Sequence, residues 1–265
     1  MLLCVLFALL VGAGLWYADR LLGPAAPVAG PPPPPIAAPA GDDDKSATIV
    51  RDEDVRIAAT VFTRPLPGAP RGPATVALIA RPQRYTLNDL IGLGAATRAN
   101  PTTVDLVRSV VVMPGAILDI EAPGTTLRMA STPAGFTSIV GWKGAVTMAG
   151  AAGKPMTITS WDPGAKGPDT VVADGRAYIR DVGAALTLRF VRVGALGFWS
   201  GRTGGVALTG VQESAATGAI SDSEISDAHY GLFTSDVSKL TVTATTFRRS
   251  ELAGVLLHRG TTNAV

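Results

Sequence analysis

The side chains in this chain best suited to moving a proton near neutral pH are its two histidines, and both stand beside charge. His258 precedes Arg259, with Arg248 and Arg249 shortly before it. His229 lies in the phrase Asp227-Ala228-His229-Tyr230, where an imidazole and a carboxylate could make an acid–base pair. Read as local sequence alone, each histidine is also an ordinary water-facing turn residue. Asp222 and Glu224 alternate with Ser221 and Ser223, so both carboxylates point to one side of a strand, as a paired acid or as a solvated row. Trp142, Trp161 and Trp199, with Tyr230 and Phe233, could stack on the flat face of a ligand ring. Trp161-Asp162-Pro163-Gly164 reads as a strand end entering a long loop, a common place for recognition.

Other chemistries lack their residues. No His/Cys cluster has metal-ligand spacing, and no Gly-x-Ser-x-Gly elbow or phosphate loop follows a strand. No cofactor is expected. Ca²⁺ at acidic corners is compatible with the composition, but no residue set defines a site. The net charge of +2 is small and dispersed, which argues against nucleic acid as a partner.

The elements that must position these residues are short apolar strands. The apolar fraction is 47%, charged residues make up 17%, and 30 glycines punctuate the chain, a composition that suits strand and turn better than helix. Phrases of one kind recur: Ile225-Ser226-Asp227 before Gly231-Leu232-Phe233, then Phe247-Arg248-Arg249 before Gly254-Val255-Leu256. The step between these copies, roughly 22 residues, is one coil of a right-handed parallel β-helix. Strands are expected at 109–113, 116–120, 126–129, 138–140, 145–148 and 156–159, with Leu188, Phe190, Leu208, Leu240, Val242, Phe247 and Val255 pointing inward. A β-sandwich gives similar local signals and stays open as the alternative.

Four segments follow. Residues 1–23 carry an apolar run, 2–18, that reads as a membrane anchor or signal segment and holds the only cysteine, Cys4. Residues 24–47, with five consecutive prolines at 31–35, read as a disordered Pro/Ala/Gly-rich spacer. Residues 48–108 form an N-terminal strand and cap region, opening with a strand at 48–51. Within it Thr86 is placed as an N-cap with Asp89 three residues on, predicting a short capping helix. Residues 109–265 form the solenoid, and the strand-like Thr261-Thr262-Asn263-Ala264-Val265 stops without a cap, so further coils are expected beyond it.

The phrases Arg84-Tyr85-Thr86-Leu87-Asn88-Asp89-Leu90, Gly115-Ala116-Ile117-Leu118-Asp119-Ile120, Ile158-Thr159-Ser160-Trp161-Asp162-Pro163 and Gly254-Val255-Leu256-Leu257-His258-Arg259 resemble bacterial β-helix proteins related to the periplasmic mannuronan C5-epimerases and polysaccharide lyases. The resemblance spans roughly residues 75–265. It implies an extracytoplasmic protein acting on or binding an exopolysaccharide. That family carries Asp-Pro-His-Asp on one coil, and here Leu256-Leu257-His258-Arg259 stands in its place. Only His258 matches, as the candidate catalytic residue, while Leu256 and Arg259 replace the carboxylates. Arg259, Arg248, Arg249, His229 and Trp161 are the candidate saccharide contacts. Two readings follow: a membrane-tethered polysaccharide-binding protein without turnover, or a uronate epimerase or lyase with an incomplete groove.

Overall fold

A computed structural model of the chain describes residues 43–62 and 75–265. The architecture is a parallel β-helix. Its first sheet stacks Thr75–Leu78, Ser109–Val112, Ser138–Trp142, Tyr178–Val182, Gly205–Thr209, Tyr230–Ser235 and Ala253–Leu257 in that order. The second stacks Thr103–Leu106, Thr126–Thr132, Met156–Asp162, Val191–Gly194, Glu224–Ser226 and Thr246–Arg248, with Ala96–Asn100 antiparallel at its start. The third stacks Ile117–Glu121, Ala145–Ala149, Ala185–Arg189, Ala216–Ser221 and Val237–Thr243. Each coil passes through the first, third and second sheets and returns one strand spacing along the axis. These parallel pairings exclude the sandwich.

Alternation decides which side chains fill the interior. In Ser109–Val112, Val110 and Val112 join the inner core with Ile139, Ile179, Leu208 and Leu232, while Val111 faces outward. Leu188, Leu208 and Leu240 are buried as expected, and Val242 and Phe247 pack half-buried on the same core. Phe190 departs from expectation. It sits at a corner with φ 51°, stacked in line with Asp222 at 52° and Ala244 at 46°, and its ring is half-buried. A second line of left-handed corners is Ala195, Asp227 and Arg249. One residue in this conformation turns the chain between sheets, which is why the corners need no Pro-Gly signature. Val255 shares the register of buried Leu232, but in the last strand of the sheet it remains 42% exposed.

The N-terminal expectation is corrected at one point. Residues 48–51, expected as a strand, lie inside helix α1, Asp43–Phe62, so folded structure begins within the segment read as spacer. Ile49 and Val50 favour strand locally, but Val50 and Ile57 recur one helical face apart and bury against Val111, Val140 and Tyr178 on the outside of the first sheet. Tertiary packing thus overrides β propensity. Helix α2, Leu87–Gly92, forms as predicted. Thr86 Oγ1 accepts from the Asp89 amide, Asp89 accepts from the Thr86 amide, and Leu90 closes the first coil. Among the described residues no helix is long and apolar enough to cross a membrane. The apolar run 2–18 and the five prolines at 31–35 lie outside the described residues.

Candidate functional site

Successive outward positions of the second sheet make a continuous polar face. One row runs Asp105, Arg128, Thr159, Gly194, Ser226, Arg248; the row beside it runs Thr103, Thr126, Thr157, Arg192, Glu224, Thr246. Neighbouring strands lie about 4.8 Å apart, so equivalent groups repeat at that interval along the axis. Small hydroxyls and a glycine occupy the middle, and cations stand at intervals.

At one end Trp161 lies one coil after Arg128. The Arg128 guanidinium sits 4.5 Å from the Trp161 ring centre and makes two parallel bonds to Asp105, at 2.5 and 2.8 Å. Asp105 fixes the guanidinium in plane, and the guanidinium fixes the indole. With Pro163 and Lys166 these residues border a cavity of about 350 Å³. Lys166 and Arg192 are exposed and make no ion pair among the described residues. Farther along, Arg248 pairs with Glu224, and Arg249 grips Asp227 with two bonds of 2.7 Å, holding that carboxyl below its usual range.

His229 lies at the corner where the second sheet turns into the first. Its Nδ1 is 2.8 Å from Glu251, not from the Asp227 of its own phrase. Glu251 also accepts from buried Arg176 at 2.9 Å, and Arg176 donates to the Gly197 carbonyl in the loop above. Burial works to raise the Glu251 pKa, but His229 and Arg176 more than offset it and hold the group below the ordinary value. His229 Nε2 is buried without a hydrogen-bond partner. An imidazole that gives Nδ1–H to a carboxylate keeps Nε2 as a proton acceptor.

His258 stands at the opposite end of the first-sheet strand. Its ring stacks on Phe233 with centres 5.8 Å apart, its amide donates to Thr234, and among the described residues no carboxylate pairs with it. Exposed Arg259 lies 3.8 Å from Asp236. Ala253–Leu257 intervenes between His258 and Arg248 or Arg249, a separation of roughly 16 Å at about 3.3 Å per residue. The predicted residues therefore divide among three places: Trp161 and Arg248 on the second-sheet face, Arg249 and His229 at one corner, His258 and Arg259 at another. Local sequence did not single out Arg128, Asp105, Arg192, Lys166, Arg176 or Glu251. Only coil-to-coil register brings Arg128 to Trp161, or Glu251 to His229, 22 residues away. Among the described residues no group of three or more His, Cys, Asp or Glu side chains is arranged to hold a metal ion.

No protein-family model matches the chain, and no curated protein matches it. Solved structures do. The crystal structure of the periplasmic alginate epimerase AlgG superposes with a TM-score of 0.59 at 16% identity, covering 74% of this chain and 46% of that one. Two variant structures of the same epimerase give TM-scores of 0.58 and 0.57 at 16% and 15% identity, each covering 80% of this chain and 52% of theirs. The chain thus spans about half the length of the structures it matches. What the chain shares with that epimerase is its fold, the right-handed parallel β-helix.

Proposed function

We propose that this chain is an extracytoplasmic, membrane-tethered β-helix protein that binds an acidic exopolysaccharide along the outer face of its second sheet, without turnover. The observation that carries this reading is the Trp161–Arg128–Asp105 arrangement at the head of a Thr/Ser-lined face, beside which Arg192 and Lys166 make no ion pair among the described residues. A fixed indole offers an apolar surface to a sugar ring, and free cations attract uronate carboxylates. The fold shared with a periplasmic alginate epimerase supports the substrate class and compartment, and the apolar run 2–18 supports the tether. Binding without turnover follows from the surroundings of His258, where Leu256 and Arg259 stand in place of carboxylates and proton abstraction lacks a paired acid.

Calorimetric titration with polymannuronate oligomers tests the binding. Trp161→Ala and Arg192→Ala should each weaken it about tenfold, roughly 1.4 kcal/mol. Unchanged affinity in both variants would remove the second-sheet face from the reading. Incubation in deuterated water, followed by NMR at C5 and by absorbance of unsaturated ends, should show no exchange and no cleavage. The carboxylate-held imidazole of His229 favours the enzymatic alternative, and turnover that disappears in His229→Ala or His258→Ala would select it.

A further inference from the structure

Helix α1 meets the outer face of the first sheet through charge as well as apolar contact. Asp54 accepts from two arginines of the solenoid, Arg202 Nη2 at 2.8 Å and Arg180 Nη1 at 3.5 Å. Arg180 occupies an outward position of Tyr178–Val182, is largely buried, and donates through Nε to Thr209 at 3.1 Å. Arg202 comes from the short 3-10 turn Gly201–Thr203, and its Nε is buried without a partner. Two guanidiniums sharing one carboxylate leave a positive surplus. Burial pushes the Arg180 pKa down, with Arg202 adding to the effect against the opposing Tyr178 and Asp54. One residue earlier on α1, Glu53 accepts from Tyr178 Oη at 2.7 Å. Consecutive carboxylates of the helix thus take the donors that this part of the sheet offers.

The two carboxylates are held differently. Glu53 is locked by two bonds to Arg56, at 2.9 and 2.6 Å, and Arg56 itself reaches Ser138 and Thr75. Asp54 is 41% exposed, and one of its two contacts is long. Replacing Asp54 by another carboxylate keeps both arginines paired, whereas leaving them empty strands partly buried charge. We propose that Arg180 and Arg202 form an anion seat on the outer face of the first sheet, that Asp54 is its internal occupant, and that an acidic saccharide competes with α1 for it. The saccharide class rests on the function proposed above, but this seat lies on another sheet and requires neither Trp161 nor Arg192.

The test uses the full chain carrying Trp161→Ala and Arg192→Ala, so that failure of the second-sheet reading does not touch it. Trigalacturonate and neutral maltotriose are titrated by calorimetry at low salt, where surface charge is least screened. Adding Asp54→Asn vacates the seat and should tighten trigalacturonate binding about tenfold, roughly 1.4 kcal/mol. Maltotriose should show no gain, and Arg202→Gln should abolish the gain for trigalacturonate. In the chain with Asp54 intact, saturating trigalacturonate should lower hydrogen-exchange protection across residues 43–62. No gain with Asp54→Asn, or a gain that survives Arg202→Gln, would overturn the proposal. If Asp54→Asn unfolds the chain, unchanged protection of 43–62 under saturating ligand overturns it instead.

Discussion

At the scale of single residues, Asp181 shows how far a neighbouring coil can change a side chain. It is fully buried in the solenoid interior, in register with Gly141 on one side and Leu208 on the other. A Cβ on Gly141 would lie 2.8 Å from Asp181 Oδ1, so the missing side chain there is what makes room for the carboxyl. Neither carboxyl oxygen has a hydrogen-bond partner. Burial pushes its pKa up to about 8. An unfolded aspartate titrates near 3.9, so between about pH 4 and 8 the folded chain binds more protons than the unfolded one, and stability falls as pH rises through that window. Asp181→Asn should therefore raise the melting temperature most near pH 8, with the gain shrinking toward pH 4. A gain independent of pH would show that Asp181 is not protonated in the fold.

At the scale of elements, helices α1 and α2 are secured by different physics. Helix α2 depends on its reciprocal cap, in which bonds from Thr86 and Arg81 lower the Asp89 pKa to about 2. Thr86→Ala should cost about 1 kcal/mol in urea denaturation. Because that carboxyl is depressed, its contribution is present above pH 4 and lost as pH falls through about 2. Helix α1 depends instead on a buried network. Glu53 and Arg56 raise each other's demand for a partner, and Tyr178 and Ser138 complete it. Glu53→Ala leaves the buried Arg56 charge without its carboxylate and the Tyr178 hydroxyl without its acceptor, and should cost about 3–5 kcal/mol, well beyond the loss of a surface ion pair. A cost below 1 kcal/mol by the same measurement would show that water replaces the carboxylate. The cap was readable because both partners lie within four residues. The buried network joins residues 82 and 125 positions apart, which no local pattern records.

At the scale of the whole molecule, stability accumulates coil by coil, since each coil touches mainly its neighbours. Leu208 is buried between coils on both sides, whereas Phe247 lies in the last strand of its sheet and is half-buried. Leu208→Ala should cost about 2–5 kcal/mol by chemical denaturation, and Phe247→Ala measurably less, because a partly solvated ring forfeits less transfer energy and leaves no closed cavity. Equal costs would mean that the terminal coil is covered in solution. Removing residues 1–42 should preserve the β circular dichroism spectrum. Removing residues 1–62 uncovers Val111, Val140 and Tyr178 and should lead to aggregation.

The sequence by itself determined the alternation of buried and partly exposed residues in strands such as Ile117–Glu121 and Thr126–Thr132, the capping box at Thr86, and the 22-residue return between Asp227 and Arg249. All of these arise from contacts within a few residues or from a repeat visible by eye. Tertiary structure alone decided that residues 48–51 are helical, that His229 pairs with Glu251, and that Asp54 reaches Arg180 and Arg202. The physical reason is the uneven length of the coils: neighbours on adjacent strands are separated by 22 residues at one place and 32 at another. The side chain above any given position therefore depends on how much chain each intervening loop takes out of the ladder.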